Sequence, residues 1–316
     1  MRNIIGIDIG GTNIKHSLIN EKGSVLFEGL NLTKAETTTD EVIGQVKKSI
    51  SEVLSYAKEH NLLESIAGIG IGTPGIIDKT AKIIIGGADN IVGWENLPLG
   101  DIIEKEFNLK TLLINDANAM GLAELKFGAG KGSDNIIFLT VGTGIGGAIV
   151  INGEIFSGYN NRGSELGHIP LIADGIPCSC GSVGCFEAYA STSALVSQFQ
   201  DEWIKSHQHL DQVVDGRLIV KLFHENNLVA TSCMDKHFDF LGRGIAGLVN
   251  IFSPQKVIIG GGISESGDFY LQNIKEYFDK YVMKDCAANT VLVLAELGNK
   301  AGMIGAASYI LSYIEK

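Results

Sequence analysis

The densest group of reactive side chains in this 316-residue chain runs Glu165-Leu166-Gly167-His168, then Cys178-Ser179-Cys180-Gly181-Ser182-Val183-Gly184-Cys185-Phe186-Glu187. One imidazole and three thiols within eighteen residues supply four ligands of the kind tetrahedral zinc takes. Gly181 and Gly184 allow the backbone to turn tightly enough to aim the sulfurs. A filled Cys3His sphere leaves no position for water, so the zinc expected here is structural. The plainer alternative is a small cluster of free thiols. Glu165 and Glu187 flank the ligands, and the loop could turn both carboxylates and His168 toward one pocket. Glutamates taken alone are usually solvated. Cys233 and Cys286 lie outside the cluster and read as buried bystanders.

Two glycine-rich turns offer anion chemistry. In Asp8-Ile9-Gly10-Gly11-Thr12-Asn13-Ile14-Lys15 a strand ends on a carboxylate followed by glycines and a hydroxyl. Glycines let backbone amides approach a phosphate, Thr12 and Asn13 add donors, and Asp8 could hold hydrated Mg2+ beside it. Gly142-Thr143-Gly144-Ile145-Gly146-Gly147 is a second turn of this kind, opening a strand where a dinucleotide fingerprint would open a helix. For either turn taken alone, a plain hairpin is the competing reading. Gly260-Gly261-Gly262 follows a strand, and a tight turn explains it as well as a nucleotide surface does. Asn115-Asp116 stands where a strand gives way to a helix. Asp116 could be a general base at the carboxyl edge of a sheet, although locally an N-cap role is the better explanation.

The elements that must position these residues are legible from periodicity. Asn3 to Ile9, Ile14 to Ile19, Ser24 to Leu30, Ile66 to Ile71, Thr111 to Ile114 and Lys256 to Ile259 read as strands. Val42, Ile43, Val46, Ile50, Val53, Leu54 and Ala57 recur at helical spacing behind an N-cap at Thr39 or Asp40. Ala117 to Phe127, Phe238 to Phe252 and Met303 to Ile314 are further helices, so the class is α/β. An offset of 132 aligns Ile4-Ile5 with Ile136-Ile137, Gly10 with Gly142, and Leu18-Ile19-Asn20 with Val150-Ile151-Asn152. Two similar halves are therefore expected, each opening with a glycine hairpin. Length and 45% apolar content suit two domains with buried cores, and 40 glycines imply many turns or close backbone approaches. A net charge of −11 argues against nucleic acid or an anionic membrane as partner. No secretory signal precedes the first strand, so the cytoplasm is expected. The uncharged run from Asn135 to Gly153 is broken by glycines and reads as strand–turn–strand in a soluble protein, not as a membrane span.

Together these segments resemble the ROK family of sugar kinases and repressors, within the actin-like, hexokinase-like ATPase superfamily. The resemblance rests on Asp8–Lys15, Gly72–Gly75, Asn115–Asn118, Gly142–Gly147, the Glu-x-Gly-His and Cys-x-Cys-Gly-x-x-Gly-Cys-x-Glu pair, and Gly260–Gly262. It implies two actin-like (ribonuclease H-like) α/β domains with a cleft between them. These would be residues 1–117 with 302–316, and a larger domain over 118–301 that carries the zinc loop. It implies transfer of the γ-phosphate of ATP to a hexose hydroxyl, usually the 6-OH, with Asp116 as catalytic base in place of a cap. Gly75, Asn90, Asn115, Glu165, His168 and Glu187 would meet the sugar. His168 would place one ring nitrogen on zinc and the other toward the sugar, with Cys178, Cys180 and Cys185 completing the metal. Gly10, Gly11 and Thr12, with Asn13 and Lys15 alongside, and Gly142, Thr143 and Gly144 would hold ATP phosphates. Gly260 and Gly261 would meet the adenosine, and Asp8 would position Mg2+. A homodimer is implied as well.

One departure stands out. Members often carry Ala-Gly-Glu where this chain has Arg162-Gly163-Ser164-Glu165, which bears on the sugar more than on the reaction. Glucose is the leading substrate, with N-acetylglucosamine or N-acetylmannosamine as the alternative. A sugar-responsive repressor is the remote one. Family repressors place a helix-turn-helix domain ahead of the first strand, which here begins at Asn3. A scaffold without catalysis is a further possibility, but Asp8, Asp116 and both hairpins are intact.

Overall fold

The computed structural model describes residues 1–88, 90–206 and 213–314. It divides into two compact units, one of Met1–Lys131, Ile155–Ser164 and the chain from Asn299 onward, the other of Gly132–Glu154 and Glu165–Gly298. The first unit contains β1 (Asn3–Ile9), β2 (Asn13–Asn20), β3 (Val25–Leu32), α1 (Thr39–Glu59), β4 (Ile66–Thr73), β5 (Ile76–Ile77), β6 (Ile84–Gly86), α2 (Leu99–Phe107), β7 (Thr111–Asn115) and α3 (Asp116–Phe127). Its sheet runs β3-β2-β1-β4-β7, with the first three strands antiparallel and the rest parallel. Every residue of β1 is buried, as a mostly apolar strand at the centre of a covered sheet should be, and that burial includes Asn3 and Asp8. The Thr38 side chain caps α1 by accepting from the Glu41 amide at 3.3 Å, one residue ahead of the expected cap.

The second unit contains β8 (Ile136–Val141), β9 (Ile145–Ile151), β10 (Glu154–Phe156, at the passage back to the first unit), α4 (Phe186–Ala190), α5 (Thr192–Ser206), α6 (Gly216–His224), α7 (Leu228–Phe252), β11 (Lys256–Gly260), α8 (Asp268–Tyr281), α9 (Lys284–Ala287) and β12 (Val291–Leu294). Its sheet runs β10-β9-β8-β11-β12. α7 starts ten residues before the expected Phe238. The polar run Thr231 to His237 hides the apolar period, while Asn227 caps the true start by accepting from the Val229 and Ala230 amides.

Both sheets place a glycine hairpin beside two parallel strands, so the internal repeat is a repeat of topology. Its register needs a correction. Ile9 faces Ile14 across Gly10–Asn13, whereas Val141 faces Ile145 across Gly142–Gly144. The second loop is one residue shorter. Ile4 pairs with Ile19 and Ile136 with Val150, so the offset of 132 between β1 and β8 becomes 150 − 19 = 131 between β2 and β9. Most of β2 is buried, which leaves little alternation from which the register could have been read.

The last helix, α10 (Ala301–Ile314), packs within the first unit on α3, β1 and β4. The chain divides after Lys131 and not after residue 117, because α3 shares a close interface with α10. Glycines make that interface possible. A Cβ at Gly70 would lie 1.9 Å from the Ala306 carbonyl oxygen, and one at Gly305 would lie 1.7 Å from that of Ala119. Part of the glycine content therefore serves helix-on-sheet packing and not anion binding.

Candidate active site

Asp8 lies one residue before the end of β1, and only 6% of it is exposed. Burial pushes its carboxyl up to about 6; Lys15 opposes the rise and the Asp116 carboxylate adds to it. Lys15 sits opposite Asp8 in the ladder with Nζ 3.9 Å from Oδ2, and the same Nζ donates to the Asn299 carbonyl at 3.3 Å. A Cβ at Gly302 would lie 2.4 Å from the Asp8 carboxyl carbon, so the acid fits over the bare first turn of α10. The positive end of a helix favours a carboxylate there.

Asp116 is the first residue of α3, half-buried, and burial raises its carboxyl. The cap of this helix is Asn115, whose Oδ1 accepts from the Asn118 amide at 3.1 Å. This corrects the local capping reading of Asp116. The preceding residue does the capping, and the Asp116 carboxylate keeps only local backbone contacts, with the Ala117 amide at 2.8 Å and with its own amide. Asn115 also donates from Nδ2 to the Gly75 carbonyl at 3.2 Å. Gly75 has φ +102°, and a Cβ there would lie 2.8 Å from the Gly86 carbonyl oxygen, so only glycine fits. Asn90 is exposed, with Nδ2 3.6 Å from where a Gly11 Cβ would stand. Asp8, Gly11, Gly75, Asn90, Asn115 and Asp116 thus all belong to the first unit.

Each glycine turn consumes one of its own amides. Gly10 N–H donates to the Asn13 carbonyl and Gly142 N–H to the Gly144 carbonyl, both at 2.9 Å. Among the described residues, the amides of Gly11, Thr12, Thr143 and Gly144 have no partner and point to no other use.

In the second unit His168 ends a 3-10 turn over Leu166–His168, with the exposed Glu165 just before it. The ligand atoms of His168, Cys178, Cys180 and Cys185 all lie within 4.8 Å of one another. Cys180 Sγ is 3.6 Å from Cys185 Sγ, and Cys178 Sγ is 3.7 Å from His168 Nδ1. Zinc bonds of about 2.3 Å put tetrahedral sulfurs roughly 3.8 Å apart, so the four residues fit that ion. At Cys178 burial opposes ionisation, but hydrogen bonds from its neighbours outweigh it and lower the thiol. At Cys185 burial and the two adjacent sulfurs raise it. Sulfurs this crowded need a cation to be charged together. Nδ1 faces the thiols, which leaves Nε2 for another partner. Glu187, in the first turn of α4, accepts from the Ile145 amide at 2.8 Å and from the Ser179 hydroxyl at 3.4 Å. A Cβ at Gly144 would lie 2.3 Å from Glu187 Oε2, so this glycine makes room for the carboxylate.

From Gly142 and Thr143 a cavity of about 430 Å3 extends through the second unit, past Thr192, Gln200, Asp215 and Arg217 to Gly262. Only Gly262 of the triple-glycine run lines it. Gly260 packs near Phe138 and Ala295, and Gly261, at φ +100°, turns the chain against Val141. Sequence reading missed Thr192, Gln200, Asp215 and Arg217. They come from two separate segments, α5 and the start of α6, and Asp215 reads locally as the cap of α6, which it also is.

The profile of the ROK family matches residues 4–312. The glucokinase of Thermotoga maritima is 35% identical over 314 residues, which cover 97% of this chain and 96% of that protein. The xylose repressor of Caldicellulosiruptor bescii is 33% identical over 324 residues, covering 98% of this chain and 78% of the repressor. Among solved structures, a ROK family glucokinase from Streptomyces griseus in complex with glucose and AMPPNP superposes with a TM-score of 0.84 at 31% identity. That match covers 97% of this chain and 98% of the other.

Proposed function

This chain belongs to the ROK family and is an ATP-dependent sugar kinase, and we propose that its substrate is glucose, phosphorylated at the 6-hydroxyl with Asp116 as general base. The observation that carries the base assignment is the freed carboxylate of Asp116. Asn115 takes the capping duty, and burial raises the proton affinity of the acid beside it. A general base is worth about 10²–10⁴-fold. Asp116 takes the hydroxyl proton as the sugar oxygen bonds to the γ-phosphorus. The bond from that phosphorus to the β,γ-bridging oxygen breaks and ADP leaves.

Asp8 would hold Mg2+, which when bound neutralises charge on the phosphates. The unpartnered amides of Gly11, Thr12, Thr143 and Gly144 would meet phosphate oxygens, with Asn13 and Lys15 beside the first turn. The cavity that opens at Gly142 has room for a nucleoside, with Gly262 as its glycine contact in preference to Gly260 and Gly261. Gly75, Asn90, Asn115, Glu165, His168 and Glu187 would hold the sugar hydroxyls. Zinc on His168 Nδ1, Cys178, Cys180 and Cys185 would have a structural role, fixing the ring so that Nε2 faces the sugar.

Ser164 departs from the usual glycine without disturbing the backbone that leads into Glu165. It keeps a glycine-like φ of +69°, and its hydroxyl donates to the Phe156 carbonyl. The same reading makes the protein a cytoplasmic homodimer acting at the entry of glucose into glycolysis. No helix among the described residues is long and apolar enough to cross a membrane. The deciding experiment is ADP release from Mg-ATP with glucose, mannose, fructose, N-acetylglucosamine and N-acetylmannosamine. A clear preference for glucose is expected, and a preference for an N-acetyl sugar would move the assignment to amino-sugar phosphorylation.

A further inference from the structure

The segment Ile155–Ser164 leaves the second unit after Glu154, packs with the first, and returns at Glu165. It is tightly closed. Gly163 N–H donates to the Ser157 carbonyl at 2.8 Å, and the Ser164 hydroxyl donates to the Phe156 carbonyl. Three of its non-glycine residues, Asn160, Asn161 and Ser164, hold φ between 56° and 69°. Such backbone persists only where its surroundings over-determine it. One side chain anchors the segment through a pair of bonds: Asn161 Nδ2 donates to the carbonyls of Ile77 at 3.1 Å and Asp78 at 3.3 Å. Tyr159 contributes a weaker exposed contact, with Lys79 Nζ 5.0 Å from its ring centre.

The anchor point is rigid. Asp78 accepts from the amides of Thr80 at 3.0 Å and of Lys82 and Ile83 at 2.8 Å, which fixes the turn after β5. The same hairpin begins at Gly75, whose carbonyl receives the Asn115 amide. A continuous path therefore runs from Asn115, next to Asp116, through Gly75, Ile77 and Asn161 to Ser164, the residue before Glu165.

We propose that Asn161 is a positioning residue of the sugar site: its clamp on Ile77 and Asp78 sets where the chain delivers Glu165. The proposal rests on the kinase reading above, in which Glu165 meets sugar hydroxyls. Asn161 spends its amide on the Ile77 and Asp78 carbonyls and lies outside the two glycine turns, so its loss acts on sugar binding and spares those turns.

Asn161→Gly tests this, because glycine adopts φ +57° without steric strain and the clamping amide is removed. Asn161→Asp is near-isosteric but has no donor. Both variants should raise the glucose KM about tenfold, as expected for two lost hydrogen bonds. Glucose Kd by calorimetry should rise in parallel, with KM for ATP unchanged and kcat within about threefold of wild type. Asn160→Gly, one residue earlier, should behave as wild type. A glucose KM within twofold of wild type in Asn161→Gly, or equal rises in the two KM values, would overturn the proposal. If Asn161→Gly does not fold, the same split in Asn161→Asp decides. Should wild type phosphorylate an N-acetyl sugar and ignore glucose, the substrate assignment fails alone, and the split is read with that sugar.

Discussion

The two glycine hairpins occupy the same place in two sheets of the same strand order, yet they are built for different work. One pair before the turn, Asp8 faces Lys15 in the first hairpin, while Thr140 faces Gly146 in the second. The first turn is tied to its own sheet. The Thr33 hydroxyl donates to the Gly10 carbonyl at 2.6 Å, and the Thr33 amide donates to that of Thr12 at 2.9 Å. The second turn is tied to helices instead, through Glu187 on the Ile145 amide and through the Thr192 amide on the Gly142 carbonyl at 2.8 Å. A repeated backbone supplies the amides, and the side chains placed on and around each hairpin distinguish the two sets. In the first unit they add buried charge. In the second they add the cysteine–histidine loop and a cavity.

The largest effect should come from the charged side of this contrast. Asp116→Asn should lower kcat by about 10²–10⁴-fold while zinc content and the far-UV spectrum stay unchanged. Turnover near wild type would remove Asp116 from the role of base. Next, Cys185→Ser should release zinc, measured by plasma emission, lower the melting temperature, and weaken glucose binding by about 10–100-fold. Mg-ATP binding through the first hairpin should change much less. A variant that loses zinc and keeps its glucose KM would separate the metal from the sugar site.

The pH profile offers a smaller and more specific test. In the proposed role Asp8 would have to be ionised to hold Mg2+, and burial pushes its carboxyl up to about 6, so kcat/KM should fall as pH drops through about 6. Lys15 holds that value down, so Lys15→Met should move the acid limb to higher pH and cost a few-fold at pH 6. A limb that stays in place would show that another group governs it. The smallest effect should be Gly144→Ala, which presses on the Glu187 carboxylate but can be relieved by movement of that side chain. A two- to fivefold rise in glucose KM is expected. Gly142→Ala meets open space in the same turn and should be nearly silent.

Much of this arrangement was legible because its signals are local. His168 and the three clustered cysteines sit within one short segment, and β1, β7 and β11 are largely apolar runs stopped by glycine or a polar pair. Where neighbours compete for one role, local reading goes astray. Asn115 and Asp116 are both good caps, and the backbone at Asn115, with ψ 141°, gives the role to the asparagine. The hairpin register escaped detection because β2 is buried along most of its length. The clamp of Asn161 left no trace either, since an Asn-Asn pair in a loop looks like an ordinary turn.

The sequence by itself determined the α/β class, the duplicated hairpins, the grouping of one histidine with three cysteines and the family, since each depends on residue type at fixed spacing along the chain. Only the tertiary structure decided which amides of the glycine turns stay unpartnered, which residue caps α3, where the units divide, and what lines the cavity. Those outcomes are settled by hydrogen-bond partners and close contacts between residues far apart in sequence, such as Gly70 with Ala306 and Gly144 with Glu187. No local propensity encodes such pairings until the chain has folded.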